Sequence, residues 1–134
     1  MNFADVFDEI WQVLEGVPGL NVPDDGPGVR SGPPSPYIEL PDITYGAAGA
    51  GLDRISDMAL TIVFGPANNP LVYRSALEHA STTGARSIPA ALLAHDWQSC
   101  STLRPGRAEP AAMEQQGGNT QVAYIFHIDI TGVT

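Results

Sequence analysis

Apolar residues recur at spacings of three and four over the first sixteen positions. Phe3, Phe7, Ile10 and Leu14 form one stripe, and Val6 and Val13 widen it. That pattern predicts an amphipathic helix over 2–16. Asn2 stands where a capping side chain is needed, and Asp5, Asp8 and Glu9 fall in the early turns, where the helix dipole favours acids. Gly16, Pro18 and Gly19 stop it.

The period then changes from helical to twofold. Leu20-Asn21-Val22 reads as a short extended piece, and 23–36 is too rich in Pro and Gly for regular structure. Over 36–40 Tyr37 and Glu39 alternate with Ile38 and Leu40, a strand pattern. The run Gly46–Gly51 predicts a loop. Residues 56–64 read as a strand with Met58, Leu60, Ile62 and Phe64 on one face and Ala59, Thr61 and Val63 on the other.

Asn69-Pro70 has the form of a cap followed by Pro at the first helical position, so a helix is expected to about Ser81, with Leu77 and Ala80 inward. Gly84 closes it. A short helix is expected after Ser87, anchored by Ile88, Leu92 and Leu93, then a strand over 97–104 and a loose polar stretch over 108–119. The strongest alternation comes last: Val122, Tyr124, Phe126, Ile128 and Ile130 within 121–131. At ~3.4 Å per residue this strand spans about 37 Å, roughly the diameter of a domain of this length, about 36 Å. The order is helix, three strands, two helices, two strands. It predicts one α+β domain over 1–134: a mainly antiparallel sheet with helices packed on one face, a long C-terminal strand and extended loops.

Composition changes this picture in two ways. The 14 Gly and 12 Pro among 134 residues concentrate in 16–51 and 105–118, which makes those segments candidate contact arms. The net charge of −9 is unevenly spread. Residues 1–57 hold ten acids and two bases, whereas 58–134 hold five acids and four bases; all six basic residues are Arg. A chain so charged does not hold DNA by phosphate neutralisation. No apolar run reaches the ~18 residues of a membrane span, and the acidic N-terminus does not read as a signal peptide. One cysteine, Cys100, excludes an internal disulfide and a cysteine zinc site.

Candidate chemistry is sparse. His79 and His95 are too far apart for a helical ligand pair. His127 and Asp129 share a strand face, where an acid-oriented imidazole would suit acid–base catalysis, although a solvated surface pair is the simpler expectation. The run His95-Asp96-Trp97-Gln98-Ser99-Cys100 concentrates reactive types, but neighbours in sequence do not supply the convergence of a triad. Gly46–Gly51 lacks the order of a phosphate loop. Asp24-Asp25-Gly26 lacks the downstream ligands of a calcium loop and reads as a turn. No catalytic residue, metal or cofactor is therefore expected, and the chain reads as a non-enzyme.

The succession of elements resembles the tail terminator proteins of long-tailed bacteriophages, within the wider class of tail-completion and neck proteins. An acidic helix (FADVFDEIWQVLEGVPGLNV) leads to P-P-S-P-Y-I-E-L-P. DMALTIVFGPANN, YRSALEHAS, S-I-P-A-A-L, HDWQSCSTL and VAYIFHIDITG follow. The resemblance implies a virion protein assembled in the host cytoplasm. It implies a homo-hexameric ring that caps the tail tube, ends polymerisation of the major tail tube protein and offers its other face to the head–tail connector. It also implies genome DNA passing through without specific binding, and no membrane partner. It supplies no interface residue, so contact positions are placed on loops: Asp24, Asp25, Arg30, Tyr45, Gly49 and Arg54. An acidic lumen lets DNA slide, so acids of the first half are expected to line the channel. Other expectations are another neck, head-closure or minor tail protein, a small acid–base enzyme using His127, Asp129 or His95, and an acidic inhibitor or immunity-type binder.

Overall fold

A computed structural model describes residues 1–23, 32–46, 52–114 and 120–132 of the chain. The elements run α1 (Phe3–Glu15), β1 (Ser35–Ile38), β2 (Ile43–Thr44), β3 (Arg54–Pro66), α2 (Pro70–Ala80), α3 (Ile88–Ala94), β4 (Thr102–Glu114) and β5 (Thr120–Thr131). This is the expected α+β arrangement, with one antiparallel sheet in the order β1-β3-β5-β4.

Local chemistry starts each helix. The Asn2 side chain accepts from the N–H groups of Ala4 and Asp5, Asn69 from Leu71, and Ser87 from Ala90. The buried sides of the helices meet one face of the sheet. Val6, Ile10 and Leu14 of α1, Ala76 of α2 and Ile88 and Leu92 of α3 share a core with Met58, Leu60, Ile62 and Phe64 of β3 and Phe126, Ile128 and Ile130 of β5. The opposite face carries a smaller cluster of Tyr37, Val63 and Ala123, flanked by Ala111 and Met113.

β1 and β2 are two pieces of one interrupted edge strand. Ile38 faces Leu60 and Ile43 faces Ile55, so the register resumes unshifted after residues 39–42 have left the ladder. The far edge is β4, paired to β5 along its whole length. Pro105 and Pro110 lie in β4, where a missing N–H is tolerated because one side of an edge strand has no neighbour. Two bulges flank the same stretch of β5. β3 carries an extra residue between Ile55 and Met58, and β4 another between Pro105 and Arg107, both against His127–Ile130.

Several expectations need correction. Residues 108–114 are not loose; they are the second half of β4. The strand expected over 97–104 begins only at Thr102, because Gln98–Ser101 bends around the carboxylate of Glu9. Leu20–Val22 forms no strand. The third strand before α2 is instead Ile43–Thr44. Leu77 and Leu93 point outward, at 58% and 64% exposure, while His79 takes the inward place on α2. Leu40 does not share the burial of Ile38; β1 stops first, and Leu40 is 95% exposed.

The Pro/Gly-rich segment is clamped at its base. Asn21 donates from its backbone N–H to Pro34 O at 2.6 Å and from its side chain to the carbonyls of Gly32 and Pro33. Trp11 of α1 donates its indole N–H to Pro23 O at 2.8 Å. One Asn and one Trp thus tie residues 21 and 32–34 to each other and Pro23 to α1.

Candidate functional site

The reactive residue types are engaged in internal contacts. Glu9 lies on the inner flank of α1, and its carboxylate is a hub. It accepts from Ser99 Oγ at 2.5 Å, from the N–H groups of Gln98 and Ser99 at 3.0 and 2.9 Å, and lies 2.7 Å from His95 Nε2. Burial alone would push this carboxyl up. The hydrogen bonds from Ser99, Gln98 and His95 outweigh burial and hold it down at about 2. His95 also packs edge-on against Trp97, whose indole N–H donates to Leu92 O. The His95–Cys100 run is therefore a clasp that ties α1 to the entry of β4.

Cys100 is buried in that bend, not in a strand. Desolvation, reinforced by the nearby Glu9 carboxylate, pushes its thiol up to about 11. A thiol with that value stays protonated at neutral pH. His79 is wholly buried, with Nδ1 2.8 Å from Ser75 O and Nε2 3.2 Å from Pro18 O.

His127 and Asp129 share a face of β5 but are not partnered with each other. His127 Nδ1 lies 2.5 Å from Asp57 Oδ1 and Nε2 lies 2.9 Å from Glu109 Oε1. Asp129 instead accepts the backbone N–H of Asp57 at 2.9 Å. Asp57 sits in the β3 bulge with φ of 60°, a left-handed conformation that Asp tolerates better than most residues. The imidazole thus bridges β3, β5 and β4 at the level of both bulges. Among the described residues, no group of three or more His, Cys, Asp and Glu is arranged to hold a metal ion.

Of the expected contact positions, Tyr45 and Arg54 are described. Tyr45 is 74% exposed just after β2, and Arg54 is exposed on β3, paired with Thr44. They lie together at the β1/β2 edge. Asp24, Asp25, Arg30 and Gly49 lie outside the described residues.

Sequence reasoning missed the exposed apolar residues. At the β1/β2 edge, Leu40, Tyr45 and Leu52 stand out of the fold. On the other side, Tyr73 of α2 and Leu93 of α3 are at least half exposed along the seam with β4, and Leu71 and Leu77 are exposed elsewhere on α2. Two depressions follow one another along the seam between these helices and β4. One, of about 380 Å³, is lined by Tyr73, Ala76, Pro110, Ala112, Val122 and Tyr124 among others. The next, of about 280 Å³, is lined by Ala80, Pro89, Leu93, Pro105, Ala108 and Phe126 among others. Leu71, Tyr73 and Leu77 lie on the outer turns of a helix whose mean pattern is weakly amphipathic, which was the available signal.

No family model matches this chain, and no curated protein matches it. No helix among the described residues is long and apolar enough to cross a membrane.

Proposed function

We propose that this chain is a structural assembly protein of a long-tailed bacteriophage: a tail terminator that closes as a homo-hexameric ring on the end of the tail tube. In this role it stops addition of the major tail tube protein and presents its other face to the head–tail connector. It acts in the virion, at the head-proximal end of the tail, as a non-enzyme whose ring lets DNA through.

The observation that carries the reading is a pair of exposed apolar groups on different sides of one sheet: Leu40, Tyr45 and Leu52 at β1/β2, and Tyr73 of α2 with Leu93 of α3 along the seam with β4. Such surfaces mark contact sites. Two unlike ones on different sides suit heterologous contacts, which close into a ring when the rotation allows. A binding role is further supported by what the reactive groups do. The imidazoles of His79, His95 and His127 and the thiol of Cys100 are all held in internal contacts. The exposed Asp5, Asp8 and Glu15 of α1 suit a wall that repels phosphate.

The test is loss of the protein from the particle. Deleting its coding sequence from the genome that carries it is expected to give overlong tail tubes, or tails that fail to join heads, by electron microscopy. Joined tails of normal length would overturn the reading.

A further inference from the structure

Resting on the assembly reading above, we infer that the two exposed edges mate with each other. The acidic projection Glu39-Leu40-Pro41-Asp42 of one copy seats in the apolar seam between α2, α3 and β4 of a second copy.

The shapes are complementary. Residues 39–42 leave the β3 ladder between two paired pieces, so they project from a fixed base. Leu40 at the tip is 95% exposed, more than any other large apolar residue described. It is a knob with nothing of its own fold to pack on. The seam is the matching concavity. Its second depression, about 280 Å³, is walled by Ala80, Pro89, Leu93, Pro105, Ala108 and Phe126 and is ample for a leucine side chain. Small residues and prolines on β4 leave this trough open where larger side chains would fill it.

The charges are complementary as well. Leu40 is flanked by the exposed carboxylates Glu39 and Asp42. The seam carries an exposed guanidinium group, Arg107 on β4, 61% exposed, which lines the second depression, and Arg74, 79% exposed, stands on the outer surface of α2. Among the described residues Arg74 meets Glu78 of its own helix at 3.2 Å, and Arg107 reaches Glu109 at 3.8 Å. These are surface pairs worth little, so both groups remain available to a stronger partner. A chain of net charge −9 would otherwise repel its own copies. Placing the Arg-bearing seam against the acidic projection offsets that repulsion at the contact.

The geometry also sets the symmetry. The projection stands on the β1/β2 side of the sheet and the seam beside β4, at the other end of the strand order. Each copy therefore uses one surface to give and the other to receive, so every contact is head-to-tail.

The experiment uses the full chain and two exposed substitutions, Leu40→Asp and Leu93→Asp. Neither side chain is in the core, and melting curves are expected to match the parent. In sedimentation velocity and native mass spectrometry the parent is expected to self-associate with rising concentration. Each variant alone is expected to associate at least about tenfold more weakly. A one-to-one mixture of the two variants is expected to recover heterodimers and nothing larger, because each retains one intact surface. If the parent stays monomeric to millimolar concentration, the inference is overturned. If both variants assemble as the parent does, or the mixture gives no heterodimer, it is likewise overturned, while a ring built through other surfaces still satisfies the assembly reading. Normal tails in particles lacking the protein would instead overturn the assembly reading, whatever the mixture does.

Discussion

Ser99 donates its hydroxyl to the Glu9 carboxylate at 2.5 Å and its backbone N–H to the same oxygen at 2.9 Å, across ninety positions of sequence. This contact holds α1 to the bend that precedes β4, and its strength depends on charge at Glu9.

Replacing Glu9 with Gln keeps the shape and removes the charge. Hydrogen bonds to a charged acceptor contribute more than neutral ones, so the variant should lose roughly 2 kcal/mol at pH 7. The ordinary carboxyl value of 4.5 falls to about 2 in the folded chain. Stabilisation from a depressed carboxyl is fully present above its unfolded value and is lost as pH falls through its folded value. Urea unfolding at several pH values should therefore show a large difference between parent and Glu9→Gln above pH 4.5 that closes toward pH 2. A constant difference across that window would show that Glu9 acts through packing rather than charge.

At Asp57 the backbone and the side chain make separable contributions. Asp57→Ala removes the carboxylate from His127 and leaves a β-carbon in a left-handed conformation. Asp57→Gly removes the carboxylate and the β-carbon together. The Gly variant should be the more stable of the two by about 1 kcal/mol, read from denaturant midpoints. Equal losses would mean that the bulge does not hold φ positive in solution.

Cys100 offers a chemical readout of the fold. With its thiol pushed up from 9.0 to about 11, the thiolate fraction at pH 8 is about 100-fold lower in the folded chain than in the unfolded one. A thiol-specific disulfide reagent should react slowly with the folded protein and promptly after urea is added. Prompt reaction of the folded chain would contradict the burial of the clasp.

Gly65 occupies a second irregularity in β3, with φ of 138°. A β-carbon there would meet Val72 Cγ2 at 3.1 Å. Gly65→Ala should cost roughly 1–3 kcal/mol. Adding Val72→Ala should restore little of it, because the backbone conformation and not the contact carries most of the cost. Recovery of parental stability in the double variant would reverse that ranking.

How far the sequence disclosed these features depended on how periodic each segment is. α1 and β5 were legible because their apolar spacing is regular and long, with a capping Asn before the one and strict alternation through the other. The second half of β4 was not. Arg107-Ala-Glu-Pro-Ala-Ala-Met113 has no β-branched residue and contains a proline, so it reads as a loop. It is a strand because β5 pairs with it residue by residue, a long-range cause that no local pattern carries. Alternation over 36–40 sets Leu40 on the same strand face as Ile38, which fails once the strand ends at Ile38. The Glu9 hub was invisible for the opposite reason. Its partners lie ninety positions away, and an acid early in a helix already has a sufficient local explanation.

The two bulges beside β5 carry a consequence for shape. Each extra residue bends its strand and steepens the local twist, and here both act at one height, around His127–Ile130. The outer rim of β4 is accordingly an arc and not a straight line. A segment that added to that rim would have to follow the same bend and twist.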